Sequence, residues 1–256
     1  MRPADCTARA AVRYVRRMND GIRAGLDHLG DRVSETLAEV KPKLRGWLHL
    51  SVTPLTLAAG IVLVVLSPTP TTKLGSALFT GTAVLLFGVS AIYHTGTWSP
   101  RVWAFLRRFD HANIFLLIAG SYTPFSLILL EGAQQKTMLW LAWSGAIAGV
   151  LFRVFWAGAP RWLYTPIYIA LGWAAVFFLP AFLRGALELG TAVGIAVFVL
   201  IATGGALYTL GGIVYGIKRP NPSPRWFGFH EVFHSFTILA FASHYVGVSL
   251  ATYSLR

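Results

Sequence analysis

Charge and sulfur are both scarce in this 256-residue chain. Cys6 is the single cysteine, so an intramolecular disulfide and a cysteine-based zinc site are both excluded. Charged residues of either sign make up 12% of the chain, and only 10 residues are acidic. A soluble globular domain carries about 25% charged residues. The shortage excludes a soluble globular enzyme, a disordered chain and a secreted disulfide scaffold. After residue 47 the only acids are Asp110, Glu131, Glu188 and Glu231. No glycine-rich phosphate loop or dinucleotide fingerprint is present, which excludes nucleotide chemistry. A secretory signal peptide is not expected either, because charges interrupt the N-terminus where an apolar core is needed.

What the chain does have is apolar length. Hydrophobic residues make up 55% of it. Seven stretches can each cross a hydrocarbon core, which takes about 20 helical residues. They fall at 48–66, 75–94, 111–130, 137–157, 162–183, 190–215 and 230–251. Proline-rich punctuation separates several of them, as in Ser67-Pro68-Thr69-Pro70 and Arg219-Pro220-Asn221-Pro222. The expected fold is all-α, a seven-transmembrane-helix bundle over 48–256. Glycines such as Gly149, Gly204 and Gly205 are expected to let helices approach closely. Trp98, Trp103, Trp162 and Trp226 sit where interfacial anchors belong.

Basic residues set the expected orientation. If the seven spans alternate in direction, 18 Lys and Arg fall on the side of the N-terminus and 4 on the other. By the positive-inside rule the N-terminus is cytoplasmic and the C-terminus lies outside, in a multi-pass plasma-membrane protein. The net charge of +12 then reflects topology, and no nucleic-acid partner is implied. Residues 1–47 hold Val15, Met18, Ile22, Leu26, Leu29, Val33, Leu37 and Val40 at spacings of 3 and 4. That pattern predicts a basic amphipathic helix on the cytoplasmic leaflet, or a helical dimerisation arm. A homo-oligomer stays open.

Six of the seven histidines fall within or beside the apolar spans, where ionisable groups are functional candidates. His49 begins the first span. His94 ends the second, Asp110 and His111 begin the third, and His230 and His234 begin the seventh. Counting spans places all of them at one cytoplasmic depth. His230 and His234 share a helix face, a spacing that suits two ligands of one metal ion. Zinc in catalytic sites takes three protein ligands and keeps one position for water. His94, His230 and His234 would supply those three, and Asp110 would accept a proton from the water or fix its orientation. The alternative is that each histidine only hydrogen-bonds to backbone or headgroups at the interface.

His230-Glu231-Val232-Phe233-His234 also fits the zinc-protease pattern H-E-x-x-H, with Glu231 as the base. That reading needs a third ligand downstream. His244 lies about 15 Å further along a continuous helix, out of reach. No acid follows residue 231. The third ligand must therefore come from another span, which favours His94.

Three segments now stand out: Ser90-Ala-Ile-Tyr-His94, Arg108-Phe-Asp110-His111-Ala-Asn-Ile with Tyr122-Thr-Pro124 beyond it, and His230-Glu-Val-Phe-His234-Ser-Phe. Together they resemble the haemolysin III branch of the progestin and adipoQ receptor family. The resemblance covers about 41–256. It implies a cytoplasm-facing zinc site held by His94, His230 and His234, with Asp110 serving the water and Ser90 beside it. It also implies an activity like that of lipid amide hydrolases of the ceramidase type, with a membrane lipid as substrate. His49 matches more loosely, since Leu48-His49 stands where many members have Thr-His. The expected function is a zinc-dependent lipid hydrolase linked to membrane lipid homeostasis. Its rivals are a non-enzymatic sensor or receptor with structural zinc, a haemolysin-type pore, and haem ligation by histidine pairs.

Overall fold

The structure is a computed structural model that describes residues 42–156 and 158–256. The helices are α1 (Trp47–Leu66), α2 (Pro70–Thr95), α3 (Pro100–Leu129), α4 (Gly132–Phe155), α5 (Arg161–Gly172), α6 (Leu179–Glu188), α7 (Thr191–Ile217) and α8 (Phe229–Tyr253). A 3₁₀ segment, Ala174–Phe178, joins α5 to α6. With α5 to α6 counted as one span, seven are long and apolar enough to cross a membrane. The described residues contain no named strand. Most of the amphipathic N-terminal helix expected over 1–47 lies outside the described residues. At its end, Lys43–Gly46 form turns.

Sequence punctuation explains most of the helix starts. Thr69 caps α2 through a box in which its hydroxyl accepts from the Thr72 N–H and the Thr72 hydroxyl accepts from the Thr69 N–H. Pro70 then occupies the first turn, where its missing N–H costs nothing. Pro100 does the same for α3 after Ser99. This start corrects the expected boundary of the third span. The helix begins well before residue 111, because Pro100–Phe109 continues it through a mostly exposed stretch that carries three arginines. Asp110 and His111 therefore sit in the body of the helix, beyond its first turns.

The fifth span differs from expectation too, being broken near its middle. In lipid, backbone groups freed by a break must find protein partners. The Tyr122 hydroxyl on α3 supplies them. It donates to the Gly172 carbonyl and accepts from the Ala175 N–H at 3.2 Å. The Tyr122-Thr-Pro124 motif thus stabilises a neighbouring span. Pro124 itself lies buried inside α3.

Large apolar side chains divide between two environments. Leu63, Phe79, Phe87, Phe115 and Met138 are fully buried. Leu55, Val65, Phe155 and Phe177 are exposed on the outer faces, where lipid tails are as apolar as the side chains. Helix association there depends on close packing. Gly149 illustrates it, since a Cβ at that position would run into the Phe115 ring. Gly205 corrects the sequence expectation, as it has no neighbour within 4 Å of a built Cβ.

Candidate metal centre

The centre starts from the N-terminus of α8. Gly228 caps the helix, and its N–H donates to Glu231 Oε2 at 2.7 Å. The other carboxylate oxygen, Oε1, accepts from Arg45 Nε at 2.8 Å. Glu231 is fully buried. The turn that carries Arg45 is itself docked on the loop before α8, with Lys43 N–H donating to the Arg225 carbonyl at 3.0 Å and Leu44 N–H to the Trp226 carbonyl at 3.2 Å. The Lys43 ammonium lies over the Trp226 ring. The first turn of α8 is therefore fixed from outside by a segment that comes from the far end of the sequence.

That anchoring presents His230 and His234 to the last turn of α2, where His94 sits. One ligand atom from each of the three imidazoles can be chosen so that all lie within 4.8 Å of one another. His230 Nε2 and His94 Nε2 are 3.1 Å apart. Two imidazoles on one tetrahedral zinc, at ~2.0–2.1 Å each, hold their nitrogens roughly 3.3 Å apart. The donor set is thus of the right kind and spacing for a metal ion. His94 and His234 are buried and His230 is partly so.

Asp110 reaches the same cluster from α3. Its Oδ2 is 3.9 Å from His94 Nε2, too far for a direct hydrogen bond and a separation that one water can bridge. The Ser90 side chain, one turn before His94 on α2, stands beside the Asp110 carboxyl. The four residues expected to act with Asp110 are thus brought together around it. His49 joins them from α1, its ring stacked on His234 at 3.8 Å between centroids and 15° between planes.

Three other residues fall elsewhere. His111 turns away, with Nδ1 2.6 Å from the Arg107 carbonyl and Nε2 3.1 Å from the Tyr215 hydroxyl. Glu231 is committed on both oxygens, as described, so the H-E-x-x-H pattern here carries an anchoring acid. His244 lies deeper on α8 against Phe125 and Tyr208.

A cavity of about 370 Å³ opens from the cluster. His49, Ser90, Asp110, His230 and His234 line it, and most of the remaining lining is apolar. Its size and character suit an alkyl chain.

Sequence reasoning missed three contributors. In the sequence Arg45 reads only as a basic residue of the N-terminal segment. Arg153 was counted as a topological charge, yet it is 1% exposed, with its guanidinium 4.4 Å from the Tyr164 ring centroid. Tyr215 links Tyr164, at 3.0 Å between hydroxyls, to His111. No local spacing signals these, because each pairing joins distant helices.

The family model described as "Haemolysin-III related" matches residues 37–245. The chain belongs to that family. The match encloses Ser90, His94, Asp110, His230 and His234. A hemolysin-3 homolog of Bacillus subtilis (strain 168) is 34% identical over 164 residues, covering 63% of this chain and 69% of the relative. Hemolysin-3 of Bacillus cereus is 34% identical over 131 residues, 51% of this chain and 56% of the relative. The adiponectin receptor protein of Drosophila melanogaster is 27% identical over 192 residues, 68% of this chain and 41% of the relative. These similarities place the chain in the haemolysin III branch of the progestin and adipoQ receptor family, as a multi-pass membrane protein. The chain spans just over half of the Bacillus cereus protein and less than half of the Drosophila receptor.

Proposed function

We propose that this protein is a zinc-dependent integral membrane hydrolase acting on the amide or ester bond of a membrane lipid. One observation carries the reading. Three imidazoles converge beside an acid at the end of an apolar cavity. Zinc held by His94, His230 and His234 would supply Lewis-acid polarisation and make water nucleophilic near neutral pH. Asp110 Oδ2 takes the proton released when water attacks the lipid carbonyl and passes it to the leaving group. Ser90 holds the Asp110 carboxyl in register, and His49 fixes the plane of His234 by stacking on it. The apolar lining positions the alkyl chain and keeps bulk water from the reacting carbonyl.

The deciding experiment measures zinc content and lipid hydrolysis in purified protein and in His230→Ala. About one zinc per chain and turnover that vanishes in the variant are expected. Folded wild-type protein without zinc would sink the proposal. Zinc with no turnover would favour a sensor that uses the metal structurally. The names of the Bacillus relatives raise cytolysis as a second reading, which ion flux through reconstituted liposomes would support.

The proposed setting is the plasma membrane, with the cluster on the cytoplasmic side. The charge asymmetry supports it. A membrane-impermeant thiol reagent should leave Cys6 unlabelled in intact cells and label it after lysis. Labelling in intact cells would reverse the orientation.

A further inference from the structure

A second set of polar groups lines the same cavity, away from the histidine cluster. His244 lies ten residues after His234 on α8, about 15 Å along the helix. It is 8% exposed and sits edge-on to Phe125 and to Tyr208, each at 5.6 Å between ring centroids. Gly204 makes room for it, since any Cβ there would run into the imidazole. His244 Nε2 is 3.3 Å from the Ile201 carbonyl. A carbonyl only accepts, so in the neutral ring this nitrogen carries the proton and donates it. Nδ1 is then a bare acceptor. It is buried and has no hydrogen-bond partner among the described residues.

Two hydroxyls accompany it. Tyr208 Oη on α7 and Ser121 Oγ on α3 lie beside one another without meeting hydrogen-bond geometry. Both are buried and lack partners among the described residues. His244, Tyr208 and Ser121 all line the cavity. Unmatched polar atoms are costly in an apolar interior, and here three helices each contribute one from a residue that lines this cavity.

We propose that His244, Tyr208 and Ser121 form a subsite for a hydroxyl group carried on the alkyl chain of the bound lipid. A hydroxyl donates to His244 Nδ1 and accepts from Tyr208 or Ser121. A methylene does neither, and a carboxylate cannot donate. Ten residues of helix, about 15 Å, match about a dozen carbons of an extended chain, whose zigzag C–C bonds of ~1.5 Å each advance about 1.3 Å along its axis. The chain end near the metal centre follows from the lipid reading above, on which this inference rests.

Binding can test the subsite independently of turnover. Full-length protein in lipid nanodiscs is titrated with stearate, 2-hydroxystearate and 12-hydroxystearate at matched bilayer concentrations. The 12-hydroxy chain should bind at least about tenfold more tightly than stearate, as two added buried hydrogen bonds allow, while the 2-hydroxy chain should bind like stearate. His244→Phe and Tyr208→Phe keep the rings, and with Ser121→Ala they remove every polar atom of the subsite. Together they should erase the preference while stearate affinity stays unchanged, which also shows that the cavity remains folded. Equal affinity for stearate and 12-hydroxystearate in the wild type, or a preference that survives all three substitutions, would overturn the subsite alone. If none of the chains binds, the lipid-cavity reading falls and the subsite falls with it. If the preference is found without hydrolysis, the subsite stands and only the hydrolase reading fails.

Discussion

Two acids flank the histidine cluster, one on the cavity side and one on the rim, and their surroundings differ. Glu231 on α8 is fully buried. One oxygen is occupied by Arg45 at 2.8 Å and the other by the Gly228 N–H at 2.7 Å. Asp110 on α3 has no arginine or lysine ion pair among the described residues. It faces His94 across 3.9 Å with Ser90 alongside. A carboxylate whose lone pairs are committed to strong donors holds structure together. One that faces a metal-ligand cluster across a water-sized gap can exchange a proton. The H-E-x-x-H motif alone would put a base at Glu231, whereas the proposed mechanism puts it at Asp110. The difference between the two acids lies in their partners and would be invisible in their spacing.

The largest effect that sharpens this contrast is expected at Asp110. Asp110→Asn keeps the volume and loses the ability to take a proton. Zinc content should stay near the wild-type value, because the three imidazoles are untouched. Lipid turnover should fall by about 10²–10⁴-fold, the usual range for a general acid–base group. Metal analysis and a hydrolysis assay on one preparation check both halves. Undiminished turnover would remove Asp110 from the chemistry. Loss of the metal as well would make it part of the metal-holding set.

Much of the fold is legible from the chain because membrane spans declare themselves by apolar length. The convergence of His94, Asp110, His230 and His234 also follows from counting spans, since each reversal returns the chain to one of only two depths. What stays hidden is of another kind. The start of α3 at Pro100 is hidden in the sequence because Arg101, Arg107 and Arg108 interrupt the apolar run before Asp110. The break between α5 and α6 was missed because its repair comes from Tyr122, a residue on another helix. The Lys43–Gly46 turn docks by backbone hydrogen bonds to Arg225 and Trp226, and backbone pairing between loops leaves no periodicity. The separate neighbourhood of His244 was legible only as a distance along α8. Its partners on α3 and α7 required the packed bundle.

A smaller effect is expected at Glu231, and it is the one that can break the contrast. Glu231→Gln keeps an oxygen for the Gly228 N–H but removes the negative charge that faces Arg45. The Arg45 side chain is 22% exposed, so water recovers part of its solvation. The cost should stay below the ~3–5 kcal/mol of breaking a fully buried pair. A value of about 2 kcal/mol, typical of a hydrogen bond to a charged group, corresponds to a fall of about 4–8 °C in melting temperature for a chain of this size. Because Glu231 only fixes the first turn of α8, zinc should be retained and turnover should stay within a few-fold of wild type. If Glu231 were the base, the result would invert. The melting temperature would hardly move, and turnover would drop by about 10²–10⁴-fold with zinc still bound. Thermal unfolding and hydrolysis measured on the same purified variant separate an anchoring acid from a reacting one, since an anchor acts first on stability and a base acts first on rate.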